Sequence, residues 1–256
     1  MPTILITGAN RGIGLEMTRQ YARGGWAVLA CCRSPHDAHD LRGLAARFDN
    51  PPSGNALLPG TPPPDGTKNR DTGSIQVYPL DVTHAARRAA LSTRLQDRPI
   101  DILVNNAAIS GDWATQRFGQ CRPDEWIEVL RTNVIAPMAM IQEFVDNVAA
   151  SGRRVIVNMS SVLGSIARAD HFDGRYLYGS SKAALNLITA ICAHDVAKRG
   201  ITVVALYPGW VRTDMGGPEG TLSVRESVTA LYDTLADIGL ADSGRFMDLH
   251  GITIPW

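Results

Sequence analysis

The chain has 256 residues, and its 25 basic residues balance 25 acidic ones. This length suits one α/β domain, which would bury about three quarters of the surface of the unfolded chain. The balanced charge argues against the strongly basic surface that nucleic acids and acidic membranes attract, so we expect a small, neutral partner and neither of those two.

The leader region and the cysteines indicate a cytosolic protein with reduced thiols. No apolar run approaches the roughly 20 residues of a membrane span, and Met1 and Pro2 lead into a predicted strand without a basic and then apolar leader. No C-x-x-C spacing occurs, and the adjacent Cys31 and Cys32 would point to opposite faces of a strand. We therefore expect free thiols and no metal site. The other two cysteines are Cys121 and Cys192.

The first predicted unit is a strand, a glycine-rich turn and a helix that ends near residues 24–25. Residues 3–6 are typical of a buried strand and precede a turn with three glycines. Gly8 permits a tight turn, Gly12 lets the backbone approach a pyrophosphate, and Gly14 allows close helix packing. The helix N-terminus adds N–H donors and partial positive charge. The turn residues expected to contact a dinucleotide are Gly8, Asn10, Arg11, Gly12, Ile13 and Gly14.

The end of the second predicted strand, residues 27–32, indicates which dinucleotide binds. A protein that prefers NAD usually has an acidic residue about 20 positions after the glycines, where it binds the ribose 2′-hydroxyl. Here Cys32 and Arg33 occupy that position. An arginine fork suits a 2′-phosphate, and Arg11 would supply a second cation, so NADP(H) is favoured. The alternative is that Arg33 only solvates the end of the strand.

Residues 49–73 form a predicted insertion after a helix at 37–48. The segment is crowded with proline, including Pro51-Pro52 and a triplet at 62–64. Such a composition buries little apolar area, so we expect an exposed, flexible loop. A tolerated surface loop is favoured over a lid or a contact surface, and no chemistry is assigned to it.

Further strands are predicted at 75–78, 102–104, 155–159 and 202–207, with a last one in the tail from residue 244. Helices are predicted between them, which indicates parallel strands joined by crossovers. One of these helices should begin after Ser223, which forms a predicted capping box with Glu226.

The segment 123–148 is apolar at helical spacing and begins with a proline in a first-turn position. Asn133 and Pro137 lie within it and are locally unfavourable in a helix. They predict a kink with a freed backbone group, whether or not that group has a function.

A tyrosine and a lysine four residues apart give the clearest chemical signal. Tyr178 and Lys182 would share one helix face, where the lysine charge favours the phenolate and lowers the pKa of the tyrosine. Such a phenol can donate a proton to a carbonyl. Tyr176 lies six residues from Lys182, so helical geometry selects Tyr178. By itself the pair is also compatible with a solvated helix face that has no chemistry.

These two motifs resemble the short-chain dehydrogenase/reductase (SDR) family, whose pattern is Thr-Gly-x-x-x-Gly-x-Gly early in the chain and Tyr-x-x-x-Lys late. The resemblance covers nearly all of the sequence. The run at 209–217 and the Ile-Pro-Trp terminus look most like the C-factor and Sniffer-type carbonyl reductase branch. The implied fold is a Rossmann-type doubly wound parallel sheet of about seven strands, with helices on both faces, in a single domain.

The resemblance implies four catalytic residues. Ser161 would hydrogen-bond the substrate carbonyl oxygen, with Ser160 as its structural neighbour and Ser165 as a lesser candidate. Tyr178 would deliver the proton, and Lys182 would lower the pKa of the tyrosine and hold the nicotinamide ribose. The fourth residue is Asn133, which would connect the lysine to water.

The resemblance also implies cofactor contacts outside the glycine turn. Asp81 and Val82 would lie against the adenine, although Asp81 is also suited to the start of the next helix. The chain has Ala108 where the family usually has glycine after Asn-Asn-Ala. The segment 216–222 has the small residues of a lid. The implied contacts are Arg33, Asp81, Val82, Asn105, Asn106, Ala107, Tyr178, Lys182, Pro208, Gly209, Val211 and Thr213.

Substrate and assembly are less closely defined. Aromatic and apolar residues in segments that border the crevice in this family favour an apolar or aromatic carbonyl, although each is also compatible with ordinary packing. They are Trp113, Phe118, His171, Phe172, Trp210 and Met215, with His171 as a loop residue and not a base. The family commonly forms homodimers or homotetramers through the helices that contain Asn133 and Tyr178.

The predicted activity is NADPH-dependent reduction of a ketone or aldehyde. Two alternatives remain at this stage. One is a dinucleotide-binding signalling protein of C-factor type with little turnover, and the other is an NAD-dependent alcohol dehydrogenase. The complete Ser, Tyr, Lys and Asn set disfavours pure binding, and Arg33 disfavours NAD.

Overall fold

Seven parallel strands form one sheet in the computed structural model, which describes residues 1–49 and 73–256. The strands are β1 Thr3–Thr7, β2 Ala27–Cys32, β3 Ser74–Pro79, β4 Ile102–Asn105, β5 Val155–Met159, β6 Thr202–Tyr207 and β7 Phe246–Asp248. Their order is β3-β2-β1-β4-β5-β6-β7, and all neighbouring pairs are parallel. This confirms the predicted doubly wound α/β fold. The strand order reverses between β1 and β4, which opens a crevice at the carboxyl ends of these strands.

Seven α-helices lie among the described residues. They are α1 Gly12–Arg23, α2 His39–Asp49, α3 Ala85–Arg94, α4 Pro123–Leu130, α5 Ala136–Ala149, α6 Tyr176–Asp195 and α7 Val224–Asp237. The capping box predicted for α7 is confirmed. The Glu226 amide donates to Ser223 Oγ at 3.2 Å, and the Ser223 amide donates to Glu226 Oε2 at 2.8 Å. This reciprocal pair satisfies two of the N–H groups that a helix start leaves without partners.

The sheet separates two hydrophobic cores because successive strand residues point to opposite faces. On β1, Ile4 and Ile6 join the core on one face, and Leu5 joins the core on the other. Cys31 and Cys32 are likewise divided between the two cores, as predicted, and both thiols are free. Helices α1, α2 and α7 contribute to the first core, and α3, α5 and α6 contribute to the second.

The helix predicted at 123–148 is interrupted. Helix α4 ends at Leu130, a π-helical turn occupies Arg131–Ile135, and α5 begins at Ala136. The wider π turn accommodates Asn133 and the following Pro137, which has no N–H to donate. The predicted kink therefore exists, but as a change of helix type rather than a bend in one helix.

The last strand covers less of the tail than the sequence predicts. Strand β7 covers Phe246–Asp248, and the chain then turns back so that the Ile254 amide donates to the Phe246 carbonyl at 2.8 Å. The insertion predicted at 49–73 lies outside the described residues except for its two ends. Within the described ranges, no helix has the length and apolar character needed to cross a membrane.

Candidate active site

Tyr178 and Lys182 lie together in the interior and not on a solvated helix face. Tyr178 is 8% exposed and Lys182 is 3% exposed. The Lys182 Nζ atom lies 5.4 Å from the centroid of the Tyr178 ring and donates to the Met159 carbonyl at 2.8 Å. Because that carbonyl ends β5, the pair is fixed at the carboxyl edge of the sheet. Burial of both groups removes the alternative of an exposed pair without a defined environment.

Ser161 is positioned by the short helical turn Val162–Gly164. It is the N-cap of this turn, and its Oγ accepts from the Leu163 amide at 3.2 Å. The turn lies directly on α6: a Cβ atom on Gly164 would be 2.7 Å from the Lys182 carbonyl carbon, and one on Gly179 would be 3.0 Å from the Leu163 oxygen. Two glycines thus allow the close approach that sets Ser161 beside the α6 tyrosine.

The electrostatics of the pair differ from the sequence prediction. Burial raises the pKa of the Tyr178 phenol, the nearby Tyr207 raises it further, and a hydrogen bond from Ser161 has the opposite effect. Burial lowers the pKa of Lys182 to about 7. The predicted lowering of the tyrosine pKa by a lysine charge is therefore not observed in this structure. Loss of hydration disfavours the charged form of both groups and outweighs their mutual attraction.

The other two candidate hydroxyls have structural partners. Ser160 Oγ donates to Asn186 Oδ1 at 2.6 Å within the core. Ser165 Oγ donates to the carbonyl oxygens of Pro255 at 2.6 Å and Trp256 at 3.2 Å, so it fastens the chain terminus. Of the three serine hydroxyls, that of Ser161 interacts with the Tyr178 phenol.

Asn133 connects the π turn to α6. Its Oδ1 accepts from the Ile109 amide at 2.9 Å, and its Nδ2 donates to the Ile109 carbonyl at 2.8 Å and to Ser181 Oγ at 3.0 Å. Ser181 Oγ in turn donates to the Tyr178 carbonyl at 2.7 Å. The asparagine is fully buried, and these contacts join the loop after β4 to the helix that carries the tyrosine.

Gln116 is a site residue that the sequence analysis missed. It is fully buried, its Nε2 donates to the Ser110 carbonyl at 2.7 Å, and its Oε1 accepts from the Tyr178 amide at 3.0 Å. Arg175, the N-cap of α6, makes no side-chain cap, so Gln116 supplies an acceptor for the first turn instead. A single glutamine in a loop 62 positions away carries no local signal for this role.

The aromatic residues predicted to border the crevice are placed differently from one another. The Trp113 ring meets the Tyr178 ring edge-on, with centroids 5.4 Å apart. Phe118 is 89% exposed, and Trp210 is half-exposed with its Nε1 donating to the Gly216 carbonyl at 2.8 Å. His171 is exposed beside Asp170 and ends a short 3-10 helix, Ile166–His171, where the sequence predicts a loop.

Residues after β4 stabilise the glycine turn through hydrogen bonds. Gly8 and Gly12 have φ values of +66° and +51°, which favour glycine. Asn106 Nδ2 donates to the carbonyl oxygens of Thr7 at 2.8 Å and Gly8 at 3.2 Å, and the Ala107 amide donates to Thr7 Oγ1 at 3.0 Å. These bonds make Asn106 and Ala107 supports of the turn.

The start of α1 has the features of an anion site. A Cβ atom at Gly14 would lie 2.6 Å from Asn106 Nδ2, so the helix can approach only without one. Arg11 precedes α1 as its N-cap and does not cap it with its side chain. The first N–H groups of α1 therefore donate no hydrogen bond to the N-cap side chain, and these donors suit a phosphate. Asn10 is partly exposed in the turn, and Ile13 packs partly against the core.

The side chain of Asn105, a predicted cofactor contact, makes its hydrogen bonds inside the protein. Asn105 is buried in β4, and its Nδ2 donates to Asn158 Oδ1 at 2.9 Å and to the Pro137 carbonyl at 3.4 Å. These side-chain contacts join two strands to the start of α5. The side chain of Asn106, the first residue after β4, instead reaches the glycine turn.

Arg33 and Asp81 occupy neighbouring strand ends at the other side of the crevice. Asp81 Oδ1 accepts from the Thr83 amide at 2.9 Å and from Thr83 Oγ1 at 2.7 Å. Burial raises the pKa of this carboxyl, but the two bonds from Thr83 and the charge of Arg33 prevail, so the pKa lies below its usual value. Helix α3 begins at Ala85 with His84 as its N-cap, so Asp81 is not the capping group. Val82 beside it is buried.

The loop after β6 packs against the glycine turn. A Cβ atom on Gly12 would be 3.4 Å from Thr213 Cγ2. Arg11 forms an exposed ion pair with Asp214, so the cation proposed for a 2′-phosphate is bonded within the protein here. The Pro208 carbonyl accepts from Ser227 Oγ at 2.6 Å, which fixes the loop to α7.

The predicted lid is tied to the same loop. Buried Val211 pairs with Leu222, the Leu222 amide donates to the Trp210 carbonyl at 3.0 Å, and Gly209 has a φ of +85°. The end of the segment 216–222 therefore pairs with residues 210–212.

Comparison with known proteins agrees with this geometry. The model of the family described as short chain dehydrogenase matches residues 66–221. C-signal of Myxococcus xanthus is 33% identical over 65% of this chain and 99% of its own length. Protein FixR of Bradyrhizobium diazoefficiens is 33% identical over 88% of this chain and 72% of its own.

Solved structures show the same fold over the whole chain. A carbonyl reductase from chicken fatty liver with bound NADPH is 30% identical and has a TM-score of 0.83, covering 100% of this chain and 99% of its own. Carbonyl reductase Sniffer of D. melanogaster is 28% identical with the same TM-score, and the match covers 100% of both chains.

Proposed function

The chain belongs to the short-chain dehydrogenase family, and from that premise we propose that it reduces a ketone or aldehyde to an alcohol with NADPH. The observation that carries this proposal is the buried group of Ser161, Tyr178 and Lys182. It lies at the carboxyl edge of the sheet, the same edge that carries the glycine turn. A serine hydroxyl and a phenol at this edge are the donors that a carbonyl oxygen requires when it gains negative charge.

The residues divide the work as follows. A bound nicotinamide supplies the hydride, and the protein orients the carbonyl and supplies the proton. Ser161 and Tyr178 donate hydrogen bonds to the carbonyl oxygen, and Tyr178 then transfers its proton to the developing alkoxide. The raised pKa of Tyr178 keeps the phenol protonated at neutral pH, which suits a proton donor in the reductive direction.

Lys182 and Asn133 support that proton transfer. The pKa of Lys182 near 7 allows it to exchange a proton at neutral pH, and its position beside the Tyr178 ring suits contact with the nicotinamide ribose. Asn133 would connect this lysine to water. Its observed hydrogen bonds also hold Ile109 and Ser181 in place, so it orders the helix as well.

The cofactor proposed is NADP(H). Arg33 replaces the carboxylate that would bind a ribose 2′-hydroxyl, and among the described residues its guanidinium has no ion-pair partner within 4.0 Å. The glycine turn and the start of α1 fit the pyrophosphate, since a Cβ at Gly14 would obstruct the turn. The similar chicken carbonyl reductase contains NADPH.

A second function has its own support. The similarity to C-signal extends over 99% of that protein, which favours a signalling role in which dinucleotide binding matters and turnover is low. The buried phenol and its partners favour the reductase, since a pure binder has no use for a proton donor. The third possibility from the sequence, an NAD-dependent alcohol dehydrogenase, is disfavoured by Arg33.

One assay separates these functions. The purified protein is mixed with NADPH or NADH and a panel of aromatic aldehydes and ketones, and loss of reduced-cofactor absorbance is followed. We expect consumption of NADPH faster than that of NADH. Binding of NADPH without consumption across the panel would favour the signalling role, and faster use of NADH would reverse the cofactor assignment.

The proposed assembly is a homodimer or homotetramer. Four large apolar side chains on the surface around α4 to α6 are each more than half exposed: Ile127, Ile135, Leu187 and Ile191. Leu187 and Ile191 lie one turn apart on α6, so they form one face. A contiguous apolar face of this kind indicates a protein interface. The cytosolic location, the single domain and the flexible insertion remain predictions from the sequence.

A further inference from the structure

An arginine lies on an aromatic ring that contacts the catalytic phenol. The Arg175 guanidinium carbon lies 4.6 Å from the centroid of the Trp113 ring, and that ring meets Tyr178 edge-on at 5.4 Å.

The Arg175 side chain is exposed, so a ligand can reach it. Trp113 thus joins an accessible cation to the Tyr178 phenol.

The Arg175 guanidinium has no ion-pair partner in the part of the chain that the structure describes, since no carboxylate lies within 4.0 Å of it. The acidic residue nearest to it in the sequence is Asp173, which is exposed and forms no ion pair within the same ranges. Asp170 lies beside His171 instead. The Arg175 fork is thus not bonded to a protein carboxylate.

The backbone at Arg175 is held in an unusual conformation. Its φ is +66°, one of two such values at non-glycine residues in the described ranges, and the preceding Gly174 also has a positive φ of +68°. A left-handed arginine costs conformational energy, and such residues concentrate at functional sites. Gly174 is fixed because a Cβ there would be 2.7 Å from the Gln116 carbonyl oxygen. The surrounding packing thus maintains the arginine in this position.

We propose that Arg175 forms an anion-binding rim beside the active site, and that the substrate is an aromatic or apolar carbonyl compound that carries a carboxylate. The carbonyl lies at Tyr178 and Ser161, its apolar body contacts Trp113, and its carboxylate reaches the Arg175 guanidinium. Arginine suits this role because its planar fork matches a carboxylate and its face stacks on an aromatic ring. This substrate class rests on the proposed reductase function.

The test compares two aldehydes that differ in one charge. 4-Carboxybenzaldehyde carries a carboxylate, and methyl 4-formylbenzoate is its neutral ester. We expect kcat/KM with NADPH to favour the carboxylate in the wild-type protein. In Arg175→Met, the ratio of the two kcat/KM values should fall by roughly tenfold to a hundredfold, the worth of a charge-assisted hydrogen bond.

Two further variants separate charge from packing. Arg175→Lys retains the charge, and both Lys and Met are unbranched L residues that experience the same left-handed backbone as arginine. We expect Arg175→Lys to keep most of the preference. Arg23→Met, an exposed arginine in the last turn of α1, is the control for a general change in charge and should leave the ratio unchanged.

A binding measurement separates this inference from the proposed function. The same two aldehydes are titrated calorimetrically into the protein with NADP⁺, which has no hydride to give, and without cofactor. Tighter binding of the carboxylate that is lost in Arg175→Met would support the rim even if neither aldehyde is reduced. Equal kcat/KM values for acid and ester in the wild type, or equal losses on both in Arg175→Met, would overturn it.

Discussion

The backbone amide of Tyr178 donates a 3.0 Å hydrogen bond to the side-chain Oε1 of Gln116, a residue 62 positions earlier in the chain. The Nε2 atom of the same Gln116 side chain donates to the Ser110 carbonyl at 2.7 Å. A buried glutamine thus joins the loop after β4 to the first turn of α6. The phenol owes its position to this contact as well as to the packing of α6.

Gln116→Met should misplace the tyrosine. The substitution keeps the side-chain length but removes both hydrogen bonds, so a buried amide and a buried carbonyl lose partners. We expect the free energy of unfolding to fall by about 1–3 kcal/mol and kcat to fall by roughly tenfold or more, with a smaller change in NADPH affinity. Urea unfolding and steady-state kinetics measure these effects. Gln120→Met, at an exposed position of the same loop, is the control. An unchanged kcat in Gln116→Met would show that this contact does not orient the phenol.

Tyr178→Phe should abolish turnover and leave NADPH binding nearly intact. The ring and its contact with Trp113 remain, but the proton donor is lost, which costs roughly a hundredfold to ten-thousandfold in kcat. Fluorescence titration of NADPH and a reductase assay give the two readouts. Tyr176→Phe removes a more exposed phenol two residues earlier and should retain activity. Normal reductase activity in Tyr178→Phe would end the assignment of the proton donor.

Lys182 should make the protein more stable as the pH rises above 7. Its pKa is about 7 when folded and near its usual value of about 10.4 when unfolded. Between these values the unfolded chain binds the proton and the folded chain does not, so the free energy of unfolding rises with pH, by at most about 1.4 kcal/mol per pH unit. Below pH 7 both states are protonated and this dependence disappears.

The measurement is urea unfolding of the wild type and Lys182→Met at pH 7.5 and 8.5. The difference between the two proteins cancels the titration of other groups, including the buried thiols whose raised pKa values oppose the trend at higher pH. We expect the wild type to gain stability relative to Lys182→Met across this interval. A constant difference would mean that the lysine has the same charge in both states.

Arg33→Ala should weaken the preference for NADPH. If the guanidinium binds the 2′-phosphate, the KM for NADPH should rise by roughly tenfold to a hundredfold while the KM for NADH changes little. Arg23→Ala, at an exposed position far along α1, is the matched control. Equal changes for both cofactors would indicate a general electrostatic effect and no 2′-phosphate contact.

Ile191→Glu should disrupt the proposed assembly. A charge on the apolar face of α6 is tolerated in water but is costly when buried in an interface. Light scattering coupled to size exclusion should show a lower mass for Ile191→Glu and Leu187→Glu than for the wild type. Leu240→Glu, at an equally exposed apolar residue outside this face, should not change the mass. A wild-type chain that is already monomeric would contradict the proposal.

Much of the fold is determined by local sequence. Strand β1 and its glycine turn follow from a short apolar run and three glycines, and the capping box of α7 follows from a serine and a glutamate three residues apart. Cys31 and Cys32 divide between the two cores because strand residues alternate. Each of these features depends on periodicity or on residues within one turn, which a sequence displays directly.

The pairing of Tyr178 with Lys182 is also visible in the sequence, whereas the surroundings of the pair are not. The spacing of Tyr178 and Lys182 places them on one helix face, but their burial, and with it the direction of both pKa shifts, is set by the packing of α6 on the sheet. Gly164 and Gly179 allow the turn Val162–Gly164 to pack closely on α6, and this packing favours Ser161 over Ser160 and Ser165. The four-residue spacing of Tyr178 and Lys182 alone determines neither their burial nor the choice of serine.

Only the tertiary structure decided the remaining contacts of the site. It placed Gln116 under the Tyr178 amide, paired Arg11 with Asp214 across 203 positions, and buried Asn105 behind the crevice that its neighbour Asn106 helps to form. These contacts join segments that are distant in the chain and meet only when the sheet is assembled. A local pattern determines which face a side chain takes on its own element, and packing between elements determines what that side chain meets.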